Sequence, residues 1–84
     1  MGVTILDKLQ SSVSGNITDS DGLALAGVNI VEKGTTNGAT TDFDGNYSIN
    51  VADNATLVFS YIGFATQSIK VTGKSTINVK LSEG

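Results

Sequence analysis

From residue 13 onward the apolar residues of this chain recur at every second position in short runs, separated by Gly, Asn, Asp, Ser and Thr. A period of two puts alternate side chains on opposite faces of an extended chain, so the pattern predicts strands and turns rather than helices. A first strand is expected at 13–18, with Val13, Gly15 and Ile17 on one face. Asp19-Ser20-Asp21-Gly22 ends it, since Asp and Gly supply turn conformations. A second strand is expected at 28–33 with Val28 and Ile30 inward, and a short polar one at 39–42. Phe43-Asp44-Gly45 then reads as a hairpin loop with Gly45 left-handed, leading into an alternating run at 46–51. In that run Tyr47, Ile49 and Val51 face the core, while Ser48 and Asn50 face water.

The run at 56–62 is the most hydrophobic and carries apolar residues on both faces, which predicts a central strand or one covered by a partner. Gly63 breaks it. Strands at 66–71 and 76–81 follow, the last with Ile77, Val79 and Leu81 on one side and Thr76, Asn78 and Lys80 on the other. About seven short strands at this spacing predict an all-β antiparallel sandwich. Residues 1–12 read as a tail or linker and 13–82 as the sandwich domain. Within the tail, Thr4-Ile5-Leu6-Asp7 fits a capping-box pattern, but the helix it would start is too short to stand alone.

Composition narrows the function. The 84 residues allow one modest core. The net charge of −3 and the absence of Arg leave little for a nucleic-acid surface, which needs clustered Lys and Arg. No apolar stretch approaches the roughly 20 residues of a spanning helix, so direct membrane insertion is not expected. Without Cys or His the chain lacks thiolate nucleophiles, the usual zinc ligands and the imidazole of most acid–base chemistry. We therefore expect no enzyme activity, no catalytic residues, no metal and no cofactor. Asp42, Asp44 and Asn46 alternate as in a calcium loop, but Gly45 falls too early for one, and turn chemistry accounts for them. Asp19 and Asp21 read the same way.

The order and spacing of four segments resemble a known family. They are Val13-Ser14-Gly15-Asn16-Ile17-Thr18-Asp19 with Gly27-Val28-Asn29-Ile30, then Thr41-Asp42-Phe43-Asp44-Gly45-Asn46-Tyr47, then Leu57-Val58-Phe59-Ser60-Tyr61-Ile62-Gly63-Phe64. Together they resemble the carboxypeptidase-regulatory-like domain at the N-terminus of SusC/RagA-type TonB-dependent outer-membrane receptors. The resemblance implies a transthyretin (prealbumin)-like Greek-key sandwich on the periplasmic side of the bacterial outer membrane. It also implies a non-catalytic accessory domain of a glycan or peptide receptor. Its partners would be the plug and barrel of the parent receptor and periplasmic or TonB-system components.

The family usually has proline where this chain has Ala24, Ala26 and Ala52, and this chain has no proline at all against the about four expected for its length. Two readings fit this pattern, deliberate replacement in an engineered variant and natural drift. The physical motive for replacement would be removal of slow cis/trans phases from folding, at some cost in loop rigidity.

Phe59, Tyr61, Ile62 and Phe64 are the candidates for an interaction surface, with Phe59 and Tyr61 on one strand face and Ile62 and Phe64 near the strand's end. Exposed strand edges offer a further route, to partners or to a homo-oligomer by edge pairing or domain swapping. Two other function classes fit a β-sandwich of this size, an adhesin-type structural scaffold and a carbohydrate-binding module. The first strand lacks the Lys that an isopeptide-crosslinked scaffold needs.

Overall fold

The alternation at 46–52 is realised residue by residue in the computed structural model, which describes residues 10–84: Tyr47, Ile49 and Val51 are buried, and Asn46, Ser48 and Asn50 are exposed. The described residues form seven strands. These are β1 (Gln10–Thr18), β2 (Asn29–Glu32), β3 (Gly38–Thr40), β4 (Asn46–Ala52), β5 (Thr56–Ser60), β6 (Gln67–Lys70) and β7 (Val79–Lys80). One sheet has the order β4-β1-β7 and the other β3-β2-β5-β6. The inward faces meet in one core, where Val13, Ile17, Ile49 and Val51 of the first sheet pack against Ile30, Leu57 and Phe59 of the second. The only buried polar residue described is Thr41, whose hydroxyl accepts from Val28 N (2.9 Å) and donates to Leu25 O (2.6 Å). Its burial therefore leaves no unpaired group, the condition under which a buried hydroxyl is tolerated.

The central position of β5, between β2 and β6, answers to its apolar character on both faces. Other pairings depart from expectation. Strand β1 begins at Gln10 rather than at Val13, with Gln10, Ser11 and Ser12 paired to Ala52, Val51 and Asn50. Backbone pairing with β4 carries this extension, which the polar residues Ser11 and Ser12 conceal from hydrophobic periodicity. The capping-box segment lies outside the described residues.

The turn at 42–46 does form, with Gly45 at φ +80°, but it is not a hairpin between β3 and β4. Strand β3 pairs with β2, and β4 pairs with β1 in the other sheet, so the turn carries the chain across the sandwich. Ile17 N takes the carbonyl of Gly45 at 2.8 Å, which docks the turn's exit on β1 and commits β4 to that side. Nor is the sandwich wholly antiparallel, for β7 runs parallel to β1. The strands alternate in direction along the chain, so two odd-numbered strands that become neighbours must point the same way.

Both flanks of the sandwich are clasped by an amide side chain from one sheet to a main-chain carbonyl of the other. Asn37 Nδ2 donates to Asn50 O at 2.6 Å on the β3–β4 flank, and Gln67 Nε2 donates to Lys80 O at 2.7 Å on the β6–β7 flank. Along β4 the outward main chain is further engaged: Asn46 O accepts from Asp42 N, and Ala52 N donates to Glu32 Oε2. A strand edge occupied in this way is a poor template for another chain.

The C-terminal segment closes over β1 at Gly15. A Cβ on Gly15 would lie 1.9 Å from the carbonyl oxygen of Ile77, an approach only glycine allows. That oxygen accepts a 2.7 Å hydrogen bond from the Tyr47 hydroxyl, and the Tyr47 ring meets Phe59 of the opposite sheet edge-on at 5.7 Å and 75°. Such edge-to-face pairs contribute about 0.5–1.5 kcal/mol beyond area burial. Burial pushes the Tyr47 hydroxyl up from 10.0 to about 12.

Two substitutions test this closure. Gly15→Ala should cost ~3 kcal/mol in urea unfolding because its methyl group overpacks against backbone that cannot yield cheaply; a loss under about 0.5 kcal/mol, the size of a neutral surface change, would contradict the close approach. Tyr47→Phe should cost about 1–3 kcal/mol near neutral pH by stranding the Ile77 carbonyl. The unfolded Tyr47 loses its proton near pH 10 and the folded one near 12. The unfolded state therefore binds fewer protons in that window, and the contribution present below pH 10 is lost as the pH rises through it. The stability gap between the wild type and Tyr47→Phe should shrink correspondingly between pH 10 and 12, as urea midpoints at each pH will show.

Candidate interaction surface

Two loops are built from the same residue pattern and the same bonds. In Asp19-Ser20-Asp21-Gly22-Leu23, Asp19 Oδ1 accepts from the amides of Asp21 (2.8 Å) and Leu23 (3.0 Å), and Gly22 N donates to Asp19 O (3.0 Å). In Asp42-Phe43-Asp44-Gly45-Asn46, Asp42 Oδ1 accepts from Asp44 and Asn46, both at 2.9 Å, and Gly45 N donates to Asp42 O (2.9 Å). Each is an Asx-capped turn, in which a short carboxylate replaces a main-chain acceptor. The carboxylates Asp19 and Asp42 are thereby spent on turn geometry. Among the described residues no group of three or more His, Cys, Asp or Glu gathers as a metal site would require.

Both loops lie at one end of the sandwich. Strand β1 finishes there at Thr18, paired with Lys80 near the end of β7, and Ala24 faces the Asp42 loop across Gly45. Asn29 at the start of β2 pairs with Thr40 and Ser60, which brings the ends of β3 and β5 to the same level. The chain's last residues join them: Phe64 bridges to Glu83, and Gly84 N donates to Gly63 O at 3.2 Å. This end, the C-terminal pole, gathers every large apolar side chain that is exposed among the described residues. Phe43 is 94% exposed, Ile62 91% and Leu23 65%, each on a separate loop.

The sequence-derived candidates divide accordingly. Phe59 has no exposed surface and belongs to the core, because its position on β5 points between the sheets; it contributes nothing to an outer surface. Tyr61 and Phe64 are half-buried and lean on each other with ring centroids 5.6 Å apart. Ile62, displaced from the strand by the turn at Gly63, stands in solvent. Phe43 and Leu23 were not among the candidates. The signal that finds Phe43 is its position: the residue after an Asx-cap is at a turn tip, where it has no strand face to bury it.

The pole is also acidic. Asp19, Asp21, Asp42, Asp44 and Glu83 lie there with Lys80 as their only described lysine, whereas Lys33, Lys70 and Lys74 sit at the opposite pole. This end therefore carries three exposed apolar side chains and five carboxylates.

A family model described as the CarboxypepD_reg-like domain matches residues 13–84. The chain is 55% identical over 74 residues to TonB-dependent receptor P3 of Formosa agariphila, covering 86% of this chain and 7% of that protein. It is 37% identical over 71 residues to the TonB-dependent receptor SusC of Bacteroides thetaiotaomicron, covering 84% of this chain and 7% of that one. The chain thus spans about 7% of the length of these curated relatives. Among solved structures, a chain of a mutant type II cohesin–X–dockerin complex from Acetivibrio cellulolyticus matches with a TM-score of 0.72 and 24% identity. That match covers 88% of this chain and 58% of the other, and is a likeness of fold alone.

Ala24, Ala26 and Ala52 give a direct test of loop geometry. Neither Ala24 nor Ala26 donates its amide to a partner among the described residues, whereas Ala52 N donates to Glu32 Oε2 at 3.3 Å. Ala24→Pro and Ala26→Pro should each raise stability by about 0.4–1 kcal/mol by restricting the unfolded chain. Ala52→Pro should gain less, because it breaks that bond. Urea midpoints decide it; a loss at position 24 or 26 would show that the backbone there does not accept proline.

Proposed function

We propose that this chain, which belongs to the CarboxypepD_reg-like domain family, serves as the N-terminal, non-catalytic domain of a TonB-dependent outer-membrane receptor of the SusC type. The observation that carries the reading is its identity to such receptors, 55% over 86% of the chain and 37% over 84%, a level well above a likeness of fold. The domain sits on the periplasmic side, ahead of the plug and barrel, and the parent imports a glycan or peptide. A non-catalytic role is supported by the absence of His, Cys and Arg and by the use of Asp19 and Asp42 as turn caps. Turn-capping carboxylates of this kind hold loops in place.

Protease accessibility tests the placement. A cleavable epitope inserted after Gly73, in the turn at the pole remote from Gly84, should be resistant to external protease on intact cells expressing the full parent protein. It should be cut once the outer membrane is permeabilised. Cutting on intact cells would overturn the periplasmic placement, and a parent gene that does not continue into a plug and barrel would overturn the receptor reading itself.

A further inference from the structure

Three large apolar side chains stand in solvent at the pole where the last residues of the chain lie, and none is exposed elsewhere among the described residues. Large apolar residues left exposed at one end of a small domain mark a candidate contact site. Here the loops that carry them are not slack. Leu23 and Phe43 ride on turns fixed by Asx caps, and Ile62 on a turn closed by Phe64 N donating to Tyr61 O at 3.0 Å. Holding an apolar group in place beforehand lowers the ordering cost of docking.

We propose that this pole docks onto the segment of the same polypeptide that follows Gly84, an inference that rests on the chain being the leading domain of a longer receptor. The location selects the occupant. Glu83 is bridged to Phe64, and a Cβ on Gly84 would lie 2.9 Å from Ala65 N, so whatever follows Gly84 starts against the loop that carries Ile62. The relatives supply ample chain, since this domain accounts for 7% of their length. Covalent continuity makes the contact intramolecular, and so even a small apolar surface is occupied at a high effective concentration.

Charge selects its chemistry. The surround of Asp19, Asp21, Asp42, Asp44 and Glu83 calls for an apolar face rimmed by Lys or Arg. The same charges argue against a second copy of this domain as occupant, because two such poles face to face would oppose like charges.

Amide hydrogen exchange in the full-length parent and in the 84-residue chain, at matched pH and salt, tests the proposal. Amides at 20–23, 43–46 and 62–64 should exchange at least about fivefold more slowly in the parent, the lower bound of a useful coupling. The double substitution Phe43→Ser with Ile62→Ser should return them to the rate in the 84-residue chain, while the amides of β4 and β5 keep theirs. Both residues are exposed, so the fold survives the change. Equal rates in parent and domain, or protection that outlasts the double substitution, would overturn the proposal. So would a dimer of the 84-residue chain that light scattering shows to dissociate on the double substitution, since a second copy would then be the occupant. If the parent continues into something other than a plug and barrel, the receptor reading fails, yet slow exchange against that segment would still support docking at this pole.

Discussion

The Tyr47 hydroxyl on the Ile77 carbonyl, directly above Gly15, is the contact on which the sandwich closes. Strand β7 has only two regular residues and pairs with β1 in parallel, the weaker arrangement per residue. Something else must hold the final segment down. Ile77 N donates to Ser14 O and Ser14 N to Ser75 O, but these bonds form only if the two backbones come close enough. A side chain at position 15 would hold them apart. Tyr47 then fixes the approach from the far side while its ring reaches Phe59, so one residue joins β4, the closing segment and the opposite sheet.

What periodicity can reveal follows from what it measures. It reports which face of a strand is apolar, and on that it is reliable here: Val13, Ile17, Ile30, Tyr47, Ile49, Val51, Leu57, Ile77, Val79 and Leu81 are all inward. It carries no information about which strand lies beside which. The turn at 42–46 has the local chemistry of a hairpin, and Gly45 adopts the left-handed conformation that chemistry demands, yet the strands on either side belong to different sheets. The deciding bond is Ile17 N to Gly45 O, a contact between residues 28 positions apart that no local window contains. The parallel β1–β7 pair escapes for the same reason.

The surface was legible only in part, and the split has a physical cause. A long apolar run such as 56–62 draws attention to itself, but a strand in the middle of a sheet spends most of its apolar groups on the core, as Phe59 does. The residues left in solvent are those that turn chemistry removes from a strand face: Ile62 before Gly63, Leu23 after Gly22, and Phe43 between two aspartates. Exposure is thus better read from the turns than from the strands, because a turn tip has no second layer to cover it. The recurrence of Asp-x-Asp-Gly at 19–22 and 42–45 marks both tips in advance.

The clasped flanks bear on where a partner can bind. A β-sandwich commonly offers its open edges, and on this domain those edges are partly occupied from within. Asn37 and Gln67 each bind across the gap between sheets, and Glu32 and Asp42 take up outward amides at the two ends of β4. Each such bond contributes only about 1 kcal/mol to the fold. Its larger consequence is that a strand added at these edges must first displace a bond already made, which lowers the gain from augmentation by a similar amount. The C-terminal pole has no such cost: Phe43 and Ile62 give up nothing but water when they are covered. The side chains that close the flanks and the turns that push apolar residues outward therefore act in the same direction. Among the described residues they leave at the C-terminal pole apolar side chains that can be covered without breaking a bond already made.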